Sequence, residues 1–313
     1  MRITLLKDIA IADDTLGQIA AVNTEFKDVD MLLIIGALIV LASVGGGYVL
    51  SHGYLPMLWQ PYELIIICGA AFGAFVIANS KHTIIEVMKS APKMIAGSGF
   101  NRAFYMDLLS LMHDLFAKIR KEGIIAIEED IEDPDQSPIF TGYPAIAKHK
   151  SLVEFICDYV RLISSGNMQS HELESLMDAE IETLQHEMEE PAHAVTSVGD
   201  ALPGFGIVAA VLGITITMKD IAAPPEVLGL HIAAALVGTF LGILLSYGFV
   251  GPMANAMNNE VHEKIKAFEC VKACLIANMN GLAPQMSIEF GRKMLFSSVR
   301  PSFNELEEHV RSR

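Results

Sequence analysis

The chain has 313 residues, 52% of them hydrophobic, and a mean hydropathy of +0.41. Soluble domains use about 45–50% apolar residues with glycine counted in, so this composition points away from an ordinary soluble domain. A formal net charge of −15 argues against nucleic acid as a partner, because its binders carry basic stripes.

Residues 1–30 are net acidic, contain "IADDTL" and show neither a basic n-region nor a cleavage signature, which excludes a secretory signal peptide. Two readings stay open for this extension: an extracytoplasmic arm, or a mis-assigned start ahead of a biological start at Met31. A membrane helix needs roughly 20 mostly apolar residues. The first such span is predicted at 31–51, in "MLLIIGALIVLASVGGGYVL", which carries no charge. The second covers 64–80, "LIIICGAAFGAFVIANS". The short connector between them offers Trp59 and Tyr62 as interface anchors.

Residues 81–199 form a long polar segment, read as one large helical loop. In "NRAFYMDLLSLMHDLFAKIRKEG", Phe104, Leu108, Leu111, Leu115 and Ile119 recur at three- and four-residue spacing and make one apolar face. Gly123 is its natural stop. An acidic run from Glu128 to Asp135 follows, broken by Pro134 and Pro138. Further helices are predicted over 151–166, ending at Gly166, and over 170–190, opening on Ser170 as N-cap. The many carboxylates of the latter read as a solvated face.

The third span is predicted at 200–218 and the fourth at 227–252, joined by "KDIAAPPE", where Pro224 and Pro225 enforce a tight turn. The uncharged run of the fourth continues to Glu260, longer than one bilayer crossing, so its end projects or tilts. A tail follows over 253–313. The fold class is an all-α integral membrane protein with four transmembrane helices in two hairpins, a large helical loop and a helical tail. Lys and Arg crowd residues 81–121 and the tail, while the two short connectors hold one lysine, Lys219. That bias puts the loop and the tail in the cytoplasm.

Enzyme signatures are missing: there is no HExxH, GxSxG or P-loop. Cys270 and Cys274 lie one helical turn apart without further ligands at metal spacing, so idle thiols are the plainer reading. Gly69-x-x-x-Gly73 and Gly238-x-x-x-Gly242 fit the small-residue packing motif of membrane helices. His231 is either a proton-relay group or a histidine near the interface. Glu63 and Asp200 sit at span ends and the span cores hold no Asp, Glu, Lys or Arg. An ion carrier usually keeps such a group in mid-membrane, so a titrating carboxylate would have to come from a partner. Pro203 lacks an N–H and frees the carbonyl of Gly199. It is either a tolerated kink at a span end or a break in a helix lining a wet path. Thr239 offers a mid-span hydroxyl, and Pro252 interrupts the end of the same helix.

The stretches "GDALPGFGIVAAVLG", "VGTFLGILLSYGFVGPMA", "YMDLLSLMHDLFAKIRKEGIIAIEEDIEDPDQSPIF" and "EFGRKMLFSSVRPSFNELEEHVR" resemble the MotA family of flagellar motor stator subunits. The resemblance runs from about Met31 to the C-terminus and leaves residues 1–30 outside, which supports Met31 as the start; Val299 departs from it, where a charged residue is expected. It implies an inner-membrane protein of motility and chemotaxis that forms a homo-oligomer, a pentamer, around a MotB-like subunit. That partner grips peptidoglycan and supplies the ion-binding aspartate. Pro203 and Pro252 then match the family's two functional prolines, Thr239 its pore-facing threonine, and Ala210 a position where alanine favours protons over sodium. Arg120 and Glu128 match the charged pair that meets the rotor protein FliG. No cofactor and no catalytic residue is implied. The alternative is an ExbB- or TolQ-like energiser of envelope transport, which places one span, not two, ahead of the loop.

Overall fold

The computed structural model describes residues 32–93, 99–166, 168–222 and 224–312. The expected N-terminal extension therefore lies outside the described residues. The chain divides into two compact units. Among the described residues, one comprises 32–93 and 188–259, the other 99–187 and 260–312.

The first unit contains the apolar helices. Helix α1 spans Leu32–Leu50. A 3-10 turn, Leu55–Leu58, leads into α2, Pro61–Ala78, which opens on proline, the residue that loses nothing at a helix start. Helix α3 follows at Lys81–Lys93, where the Ser80 hydroxyl accepts from the Thr83 amide at 3.2 Å. Four helical segments are long and apolar enough to cross a membrane: Leu32–Leu50, Leu55–Ala78, and parts of Ser170–Thr217 and Pro225–Met279. Most of their apolar side chains lie uncovered, Leu50 and Ile77 at 84% and 89% exposure, a surface that suits lipid or a partner rather than water.

The second unit is built on α4, Arg102–Glu122. The Asn101 side chain caps its start by accepting from the Phe104 amide at 2.9 Å, and Gly123, at φ 89°, ends it. Phe104, Leu108, Leu111 and Leu115 are all buried. Helices α5 (Glu128–Glu132), α6 (Pro138–Thr141) and α7 (Pro144–Ala147) fold over its end, followed by α8, Lys150–Ser165, which Gly166 closes in the left-handed region at φ 69°.

Helix α9 runs as one element over Ser170–Thr217, through both Pro191 and Pro203. The helix expected to end near 190 and the third span are therefore a single helix, and Pro203 does not break it. The residue one turn back is Gly199, whose carbonyl loses its helical donor to the proline. Helix α10 covers Pro225–Leu245. A five-residue π-helical turn, Ser246–Val250, joins it to α11, Gly251–Met279. The helix continues through Pro252, and the wider turn lies directly ahead of the point where its missing N–H interrupts the regular ladder. Helices α12 (Pro284–Met294) and α13 (Phe303–Ser312) complete the second unit, both against α4. Ser302 and Glu305 cap α13 reciprocally, amide to side chain in each direction.

Candidate functional site

Helices α9 and α10 meet backbone to backbone. A Cβ placed on Gly206 would lie 2.9 Å from the Gly238 carbonyl oxygen and 3.3 Å from the Thr239 Cα. One placed on Gly242 would lie 2.7 Å from the Leu202 carbonyl oxygen. In lipid, where burying apolar surface between helices gains little, close contact of small residues supplies the association energy. Two α10 glycines spaced four apart thus find Gly206 and Ala209 opposite them on α9. Beyond the seam, Ile67 and Ala71 of α2 pack on Leu202 and Ala209, with Leu241 and Leu245 of α10 alongside.

Three of the four expected ion-path residues lie on or beside this seam. Ala210 is buried, and its amide nitrogen would be 3.5 Å from a Cβ on Gly238. Thr239 is half-buried with its Cα toward Gly206. Pro203, also half-buried, follows Leu202, whose carbonyl touches Gly242. Pro252 is exposed and stands off the seam. The two prolines nevertheless share a neighbourhood. Gly199, whose carbonyl loses its helical donor to Pro203, packs its Cα side against Val250 and Gly251, with Cβ distances of 3.4 Å and 3.7 Å. His231 lies in the second turn of α10, half-buried, at i, i+4 and i+7 spacing with Ala235 and Gly238.

One residue on the seam is not legible as such in the sequence. Glu63 occupies the first turn of α2 but sends its carboxylate between α9 and α10. Its Oε2 would lie 3.3 Å from a Cβ on Gly238, and its Oε1 3.5 Å from one on Gly213. Oε2 is fully buried and finds no hydrogen-bond partner among the described residues. Glu63 thus stands at the span end, as expected, while its side chain reaches inward between the two helices. The available signal was the pair of glycines, Gly213 and Gly238, that leave room for it.

In the second unit, Arg120 stands in the last turn of α4 and Glu128 opens α5. Both are exposed, and neither forms an ion pair among the described residues. The segment between them is anchored beneath. Asp130, 4% exposed, takes Lys118 Nζ at 2.5 Å and the Ser137 hydroxyl at 2.6 Å. That hydrogen bond pushes the Lys118 pKa up, keeping the ammonium charged. A carboxylate held from two sides positions the start of α5 against the end of α4, while Arg120 and Glu128 stay free to meet something else.

Residues 34–123 match the Motility protein A N-terminal family, and residues 148–270 match the MotA/TolQ/ExbB proton channel family. The chain is 49% identical over 282 residues to Motility protein A of Salmonella typhimurium and, at the same identity, to that of Escherichia coli, covering 90% of this chain and 96% of either relative. It is 40% identical over 274 residues to the chemotaxis protein LafT of Vibrio parahaemolyticus, covering 88% of this chain and 96% of that relative. Among solved structures, a chain of C. jejuni MotAB superposes with a TM-score of 0.72 at 18% identity, covering 87% of this chain and 99% of that one. A chain of the flagellar MotAB stator complex from Bacillus subtilis superposes at 0.62 and 22% identity, covering 88% and 98%. These structural likenesses establish the all-α membrane fold. With half its residues shared with named relatives over nine-tenths of its length, this chain belongs to the Motility protein A family, among the MotA/TolQ/ExbB proton channel proteins.

Proposed function

We propose that this chain is the ring-forming subunit of a flagellar motor stator. It assembles as a homo-oligomer, a pentamer, around a MotB-like partner anchored to peptidoglycan, and together they form a proton channel that converts ion-motive force into torque. The observation that carries this reading is the α9–α10 seam. Two membrane-length helices touch by backbone there, and Ala210 and Thr239 lie along the same line as the notches at Gly206, Gly238 and Gly242. The MotA/TolQ/ExbB match covers both helices.

The energetics suit a stepping motor. One proton crossing about 100 mV releases roughly 2.3 kcal/mol. Neutralising the partner's aspartate changes its contacts with α9 and α10, and the ring moves by one position. Pro203, Pro252 and the π-helical turn at Ser246–Val250 are where these helices have fewest regular hydrogen bonds to lose in such a shift. Loop and tail face the cytoplasm, as the lysine and arginine bias indicates. Arg120 and Glu128 push against charged residues of FliG, a contact that salt weakens. No covalent bond is made or broken, so the protein is not an enzyme. An ExbB- or TolQ-like energiser is the weaker reading, because two spans precede the loop and residues 34–123 match the Motility protein A N-terminal family.

The test is swimming in a strain lacking this chain, with filaments counted by microscopy. Filaments present but paralysed, and rescued by residues 31–313, bear the reading out. Normal motility together with a defect in envelope transport overturns it in favour of the energiser.

A further inference from the structure

We propose that Glu63 is a second proton-binding site, supplied by this chain itself and set in the seam between α9 and α10. The inference rests on the stator reading above and adds to it a titrating group that the partner does not bring. The geometry is that of a built niche. Glycines at 213 and 238 withhold the two side chains that would otherwise fill the space, and each carboxylate oxygen lies against one of those gaps, at 3.5 Å and 3.3 Å from where a Cβ would stand. Oε2 is sealed from the surface and finds no donor among the described residues.

An unpaired negative charge within a membrane span is expensive, and intramembrane carboxylates persist where function needs them. The charge is relieved most simply by a cation at the unpartnered oxygen. Ala235 packs at the Gly213 gap, and Ala209 with the Ala210 amide at the Gly238 gap. A proton relieves the charge with a single oxygen, whereas a metal cation needs several oxygen ligands. The titratable residue sharing the α10 stripe is His231, one and two turns from Ala235 and Gly238; on α9 the residues facing the niche, Ala209, Ala210 and Gly213, carry no charge.

The site lies beside Ala210 and one residue from Thr239, both on the expected ion path. A proton held there is released when a shift of α9 against α10 opens the site. Glu63 is accordingly a proton-exchanging group along that path, upstream or downstream of the partner's aspartate.

The test compares Glu63→Gln, Glu63→Asp and Pro203→Leu in the full chain expressed with its partner. Assembly is read by co-purification, motility by swimming speed across external pH, and protonation by infrared difference spectra of the purified complex. Glu63→Gln should assemble normally, swim at least several-fold slower and lose a protonated-carboxyl band present in the unmodified complex; Glu63→Asp should keep the band and part of the speed. Unchanged speed and an unchanged band in Glu63→Gln overturn the proposal. So does failure of Glu63→Gln to assemble, because a neutral isostere should pack as well as a protonated carboxyl. If Pro203→Leu is paralysed while Glu63→Gln swims normally, only this proposal falls. If both swim normally, the stator reading falls with it.

Discussion

The α9–α10 seam and the core around α4 solve the same problem by opposite means. The seam packs by what is missing: Gly206, Gly238 and Gly242 bring main chain within van der Waals contact of main chain. The α4 core packs by what is present. Tyr105, Leu108, Met112, Leu115 and Phe116 are wholly buried, Phe100 packs tilted and Phe104 edge-on against the His149 ring at centroid distances of 4.7 Å and 5.3 Å, and the Tyr105 hydroxyl donates to the Glu263 carbonyl at 2.8 Å. In water, large apolar side chains gain most by hiding from solvent. In lipid they gain little by hiding from acyl chains, so close backbone approach wins. The same difference separates tolerance from fragility in the two regions. A core of large side chains can collapse partly around a deletion. A backbone contact cannot yield to an addition.

The sharpest way to break the comparison is Gly242→Leu. Its Cβ would meet the Leu202 carbonyl oxygen at 2.7 Å, and backbone cannot swing aside as a flexible side chain can. We expect no motility and little complex recovered with the partner, read by co-purification; normal assembly would show that the helices separate without cost. Next in size is Phe116→Ala in α4, where the ring is 1% exposed. Loss of a buried phenylalanine costs about 3–5 kcal/mol. Thermal unfolding of the purified complex should fall accordingly, with motility kept at low temperature and lost on warming.

The smallest effect sharpens the α4 side. Burial, then the Lys264 and Lys148 charges, push the His149 pKa below its usual 6.5. The folded state therefore binds that proton less readily than the unfolded one. Stability is complete above about pH 6.5 and declines as pH falls from there through the depressed value. His149→Phe should flatten that acid limb in a stability-against-pH series. A limb of unchanged steepness would remove His149 from the account.

Glu63 and Gly123 show where sequence reading succeeds and where it stops. Gly123 terminates α4 at a positive φ, a local property of one residue after an amphipathic run, and it is visible in the string itself. Glu63 is also visible, as an acidic residue in the first turn of a span, but its side chain's destination depends on glycines 150 and 175 residues away in sequence. Pro203 and Pro252 fall between. Each signals a local irregularity, yet one sits in an unbroken helix beside Gly199 and the other follows a π-helical turn. Proline removes a hydrogen bond wherever it stands, while the neighbours decide whether the helix bends, widens or carries on.

By itself the sequence determined the helical class, the four apolar segments, the apolar face of α4 and the exposed charges Arg120 and Glu128, because hydrophobic run length, helical periodicity and stop residues act over a few turns. Only the tertiary structure decided that α9 is one helix from Ser170 to Thr217, that Gly206 meets Gly238 and Gly242, and that Glu63 points between Gly213 and Gly238. Those outcomes depend on which helix faces come together, and contact between faces is set by shape across long sequence separations rather than by any local pattern.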